Sequence, residues 1–86
     1  MVKREVTIKN ETGLHARPAS LFVQTAVKHA STIKIEKDGK EFDAKSMLGV
    51  LSLGANKGTV ITIKADGDDE QAAVDALANL IETFED

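Results

Sequence analysis

Cysteine is absent from the 86 residues, which excludes both disulfide staples and thiolate metal sites. Tryptophan and tyrosine are absent as well, and the three aromatics are all phenylalanine. Base stacking on aromatic side chains, a mainstay of single-stranded RNA recognition, therefore has little to work with. The net charge of −3 points the same way, because binding a phosphate backbone calls for a basic surface. No apolar run is long enough to cross a bilayer. The segment Met1-Val2-Lys3-Arg4-Glu5 passes straight into a strand pattern without an apolar signal region. The expectation is one cytoplasmic domain over residues 1–86, with a modest core, no membrane insertion and no nucleic-acid partner.

Proline occurs once, at position 18, and its setting is the most informative part of the chain. Behind it Ala19, Phe22, Val23, Ala26, Val27 and Ala30 fall at i, i+3, i+4, i+7, i+8 and i+11, one face of an amphipathic helix. Proline suits a first helical turn because the N–H it lacks would have no helical partner there. His15 thus precedes a helix N-terminus, where unpaired N–H groups and the positive dipole end attract anions. Arg17 adds a planar fork of donors suited to phosphate oxygens. A nucleophilic imidazole at an anion site suggests a phosphorylated histidine. A plain capping or exposed polar role for His15 is the alternative. Nothing nearby supplies a general base or a substrate pocket, so the segment reads as a relay rather than a complete catalyst.

Charge is unevenly distributed. Residues 1–58 hold ten Lys and Arg against six Asp and Glu, while residues 59–86 hold one against eight. The His15 segment lies in the basic part, which suits acidic partners through electrostatic steering. The acidic residues of the tail read as a solvated helix face.

Alternation places strands at Lys3–Lys9, Ser31–Lys37, Lys40–Ala44 and Thr59–Ala65, with Asn10–Gly13 as a loop and Asp38-Gly39 as a hairpin turn. Ser46 fits the N-cap of a short helix running through Leu53 and ended by Gly54. A last helix is expected to be capped by Asp68, with Gln71 three residues on, and to bury Ala73, Leu77, Leu80, Ile81 and Phe84. The order is βαββαβα. Strands that alternate bury one face, so three helices should cover that face of an antiparallel sheet, an open-faced two-layer α+β sandwich. Met47, Leu48, Val50, Leu51 and Leu53 exceed what two helical turns can bury on one side. Either the helix is buried all round or some of them form a partner surface.

Gly13-Leu14-His15-Ala16-Arg17-Pro18-Ala19 resembles the active-site motif of the HPr family, the histidine phosphocarriers of the bacterial phosphoenolpyruvate-dependent sugar phosphotransferase system. Lys45-Ser46-Met47-Leu48-Gly49-Val50-Leu51-Ser52-Leu53-Gly54 resembles the regulatory-serine region of one branch of that family. The resemblance spans essentially the whole chain. It implies strand order 1-4-2-3 and a phosphoryl acceptor at His15 Nδ1, with Arg17 assisting the phosphate and Pro18 fixing the helix start. It implies a regulatory phosphoserine at Ser46 and a docking surface containing Met47, Leu48 and Leu51. The implied partners are enzyme I, sugar-specific EIIA domains, the HPr serine kinase/phosphorylase and, for the serine-phosphorylated form, catabolite control protein A. A close paralogue in the family lacks the histidine and keeps only the regulatory role; His15 argues against that paralogue here.

A monomeric carrier without cofactor, rather than an enzyme, is the expectation. A regulatory binding module using Ser46 alone is the competing one, and a small RNA-binding domain a distant third. His29, near the end of the first helix, reads as an ordinary surface residue. Two histidines far apart and without cysteine make a poor metal site.

Overall fold

A computed structural model describes residues 1–84. The strands are β1 (Val2–Thr7), β2 (Thr32–Lys37), β3 (Lys40–Asp43) and β4 (Val60–Asp66). The helices are α1 (Ala16–Val27), α2 (Met47–Ser52) and α3 (Glu70–Thr83). Side-chain alternation decides the architecture. In β4, Ile61, Ile63 and Ala65 are buried while Val60, Thr62 and Lys64 point to the other face. In β2, Ile33 and Ile35 are the buried pair. All pairings are antiparallel, in the order β1-β4-β2-β3. Ile63 lies opposite Ile35 on one side and Arg4 on the other.

The helices cover the apolar face. Phe22 of α1, Val50 of α2 and Val74, Leu77 and Ile81 of α3 meet the sheet isoleucines in one core. Each large side chain so buried contributes about 1.5–3 kcal/mol relative to exposure. The bare face is polar: the Lys64 ammonium bridges Glu36 and Glu41, the latter at 2.7 Å. Hydrogen bonds to Glu36 and then Glu41 raise the Lys64 pKa. The expected order βαββαβα, the 1-4-2-3 sheet and the single helical layer all hold.

Turn and cap chemistry agrees at two places. Asp38 and Gly39 take positive φ (53° and 80°) and join β2 to β3. Ser46 caps α2, accepting the Gly49 N–H on its hydroxyl at 3.1 Å.

Three expectations fail. Helix α3 is capped at Asp69, not Asp68, and the Asp69 side chain makes no capping bond. That carboxylate turns instead to the start of β2, accepting the N–H groups of Ala30 and Ser31 at 3.1 and 3.0 Å and the Ser31 hydroxyl. Glu70, not Gln71, reaches back, to the Gly67 N–H at 3.2 Å. Gly67 permits this approach, since a Cβ there would lie 2.7 Å from Ser31 Oγ. His29 is no ordinary surface residue: Nδ1 lies 3.1 Å from Asp69 Oδ2, and its side chain is 19% exposed. Finally, α1 stops at Val27 with Lys28 as C-cap. Val27, roughly 80° round the helix from Ala19 at 3.6 residues per turn, is exposed, and Ala30 is exposed beyond the helix end.

Candidate functional site

Helix α1 begins at the proline segment, and its first turn is built to leave one side chain uncommitted. His15 is the N-cap, with extended backbone (φ −91°, ψ −170°) and no side-chain capping bond. Its carbonyl accepts the Ala19 N–H at 2.8 Å and so starts the helix. His15, Ala16 and Arg17 are all exposed, whereas Pro18 is buried and pins the turn to the body. Helical geometry leaves first-turn N–H groups without intrahelical acceptors. Pro18, third in the helix, has none to offer, which leaves Ala16 and Arg17 as the first-turn donors without an intrahelical acceptor, a geometry that suits an anion. Among the described residues no carboxylate forms an ion pair with the Arg17 guanidinium.

The preceding loop is held tightly. Gly13 has φ +66°, and a Cβ there would lie 2.2 Å from the Ala55 carbonyl oxygen and 2.8 Å from Asn56 Cα. Only glycine fits both the conformation and the space. Leu14 is buried and donates its N–H to the Ala55 carbonyl at 2.9 Å.

A depression of about 500 Å³ adjoins the imidazole. Thr12, His15, Ala16, Arg17, Pro18 and Leu21 form one wall, and Leu80, Thr83 and Phe84 at the end of α3 form the other. Apolar side chains thus flank a cationic, donor-rich rim, a combination that can seat a partner's surface beside an exchanged anion. Among the described residues no group of three or more His, Asp or Glu side chains is placed to hold a metal ion.

The structure brings His15, Arg17 and Pro18 together at this depression and keeps Ser46 out of its lining. Ser46 sits at the start of α2, which packs against α1 in the same layer. Of the apolar residues in α2, Val50 is buried, Leu53 at the C-cap is buried, and Met47 is half-buried against the core. Leu48 and Leu51 are 77% and 42% exposed, so the excess of apolar residues resolves into core plus surface. Leu21 is also 42% exposed, as its place in α1 opposite the core stripe dictates, and it lines the depression. The far wall from α3 had no local signal, because only the fold brings Phe84 to Pro18.

The family model described as "PTS HPr component phosphorylation site" matches residues 2–83. The chain belongs to the HPr family. The HPr-like protein Crh of Halalkalibacterium halodurans is 51% identical over 82 residues, 95% of this chain and 98% of that one. Phosphocarrier protein HPr of Cupriavidus necator is 44% identical, over 94% of this chain and 91% of its own. The crystal structure of HPr from Thermoanaerobacter tengcongensis superposes with a TM-score of 0.94 at 54% identity, covering 96% of this chain and 93% of that one. A dimer of that HPr has also been crystallised. Both kinds of HPr-family protein, phosphocarrier and Crh, thus resemble this chain along nearly its full length.

Proposed function

We propose that this chain is a phosphoryl carrier of the sugar phosphotransferase system, taking phosphate from phosphorylated enzyme I onto His15 and passing it to sugar-specific EIIA domains. One observation carries the proposal: the N-cap of α1 is an exposed imidazole that makes no capping bond, beside Arg17 and the first-turn N–H groups of Ala16 and Arg17, which have no intrahelical acceptors. In the forward step the lone pair of His15 Nδ1 attacks phosphorus, the new P–N bond forms, and the bond from phosphorus to the donor breaks. The phosphoryl oxygens gain the Arg17 fork and the helix N-terminus. Transfer onward reverses the same geometry. Positioning and charge stabilisation are what such a transfer chiefly requires. The chain is modified in every cycle, which makes it a carrier rather than an enzyme.

Ser46 is the regulatory site in this proposal, modified by the HPr serine kinase/phosphorylase. A phosphate there adds roughly −1.5 to −2 charge beside the exposed Leu48 and Leu51. New charge at that surface opposes docking of acidic partners and favours a basic one, catabolite control protein A. The protein works in the cytoplasm as a single-domain monomer over residues 1–86; among the described residues no helix is long and apolar enough to cross a membrane.

The test is intact mass after incubation with phosphoenolpyruvate and enzyme I, on wild type and His15→Ala. One phosphate on wild type only, labile to acid and stable to base, is the expected result. A folded wild type that stays unmodified, while a known carrier is labelled in parallel, overturns it. That outcome favours the second reading, a regulatory module using Ser46 alone, whose support is the 51% identity to an HPr-like protein named Crh.

A further inference from the structure

One buried side chain ties down the loop that delivers His15. Asn10 is 5% exposed, and its Nδ2 donates to the Gly13 carbonyl at 2.9 Å. The Gly13 N–H returns to the Asn10 carbonyl at 3.2 Å. A longer contact of 3.5 Å joins Nδ2 to Thr12 Oγ1, at the wall of the depression. The other amide atom, Oδ1, is buried without a hydrogen-bond partner among the described residues. An unpaired buried oxygen is unfavourable, and alanine would avoid it. What asparagine supplies at this position is the donor.

That donor acts on one peptide group. The peptide joining Gly13 to Leu14 has its carbonyl held by Asn10 and its N–H held by the Ala55 carbonyl. Held at both ends, the peptide plane cannot rotate, and its orientation sets the direction in which the chain leaves Leu14. The next residue is His15, whose own carbonyl is held by Ala19. Asn10, Ala55 and Ala19 therefore fix three successive points of the backbone, and the imidazole inherits its position from them.

We propose that Asn10 is a positioning residue for phosphoryl transfer, its buried amide clamping the Gly13–Leu14 peptide so that the His15 imidazole stands in line for attack on phosphorus. The proposal rests on His15 as the acceptor. It predicts an effect on the chemical step and little on docking, since Asn10 is buried and cannot touch a partner. Misplacing a reacting group by 1 Å can cost about a hundredfold in rate.

The experiment measures kcat and KM of enzyme I with this protein as phosphoryl acceptor, using wild type, Asn10→Asp and Asn10→Ala. Asn10→Asp keeps the shape and replaces the donor by an oxygen facing the Gly13 carbonyl; Asn10→Ala serves if the buried carboxylate prevents folding. Val74→Ala, in the core of α3, controls for lost stability. In the Asn10 variants kcat should fall by about tenfold or more while KM changes by less than about twofold. Their His15 ring NMR signals should also move. Val74→Ala should retain wild-type kcat and ring signals despite a lower Tm. A folded Asn10 variant with wild-type kcat overturns the proposal, as does an equal loss in Val74→Ala at matched Tm. A wild type that accepts no phosphate would instead remove His15 as acceptor, a distinguishable failure.

Discussion

The Asp69 carboxylate accepts both the backbone N–H and the hydroxyl of Ser31, joining the start of α3 to the start of β2 across 38 residues of sequence. Together with the Ala30 N–H and His29 Nδ1, these bonds gather two chain connections into one knot.

The knot has a pH signature. The Ser31 hydroxyl bond, followed by the Ala30 and Ser31 N–H groups, holds the Asp69 carboxyl well below the usual carboxylate range against the opposing effect of desolvation. A carboxyl depressed on folding contributes stability that is fully present above its unfolded value of about 3.9 and is lost as pH falls toward its folded value. Asp69→Asn should therefore lower Tm at pH 7. Below about pH 4 the variant should lose less stability per pH unit than wild type. Thermal melts from pH 7 to pH 2 check this; parallel curves for the two proteins would contradict it.

Gly13→Ala meets two penalties, a left-handed φ and a Cβ against the Ala55 carbonyl. Urea unfolding should show a loss of at least about 1–2 kcal/mol. Phosphoryl acceptance should fall in the same variant, because Leu14 and His15 follow directly.

Arg17 is exposed, so its replacement should leave Tm nearly unchanged. Removing a charge-assisted contact to the transferring phosphoryl group costs about 1.5–3 kcal/mol, so Arg17→Ala should slow transfer roughly 10- to 100-fold. Arg17→Lys should recover only part of that, having charge without the fork. Stopped transfer assays with phosphorylated enzyme I decide the order of the three rates.

Ser46→Ala should cost about 1 kcal/mol through loss of the cap on Gly49. Ser46→Asp keeps a capping oxygen and places a negative charge at a helix start, so its stability should lie close to wild type. Its acceptance of phosphate from enzyme I should nevertheless be slower. Equal transfer rates for Ser46→Asp and wild type would remove Ser46 from control of docking.

Local signals made much of this molecule legible. Ser46 before an apolar run, Asp38-Gly39 between alternating segments, and Pro18 at the head of a 3.6-residue pattern each report backbone geometry a few residues away. Helix α3 shows where such signals end. Asp68 and Asp69 are equivalent as caps in the sequence, and the choice between them follows from Ser31, a tertiary contact. His29 follows the same logic, since its partner Asp69 lies 40 residues away in sequence. The strand order came from family resemblance, since alternation says which face is buried but not which strands are neighbours. At the site, His15, Arg17 and Pro18 were visible as a run. The clamp from Asn10 to Gly13 and the wall from Leu80 to Phe84 exist only once the chain is folded.

All three helices lie on one side of the sheet, and His15, Arg17, Leu48 and Leu51 belong to that side. Under the proposed function, a carrier with that single working side serves one customer at a time, so the donor must leave before the recipient arrives. Traffic through such a molecule is limited by departure. At an association rate of about 10⁶ M⁻¹s⁻¹, a nanomolar complex persists on the order of a quarter of an hour, and a micromolar one about a second. Weak grip is then a condition of throughput, and small exposed leucines serve it better than a broad, tightly fitted interface.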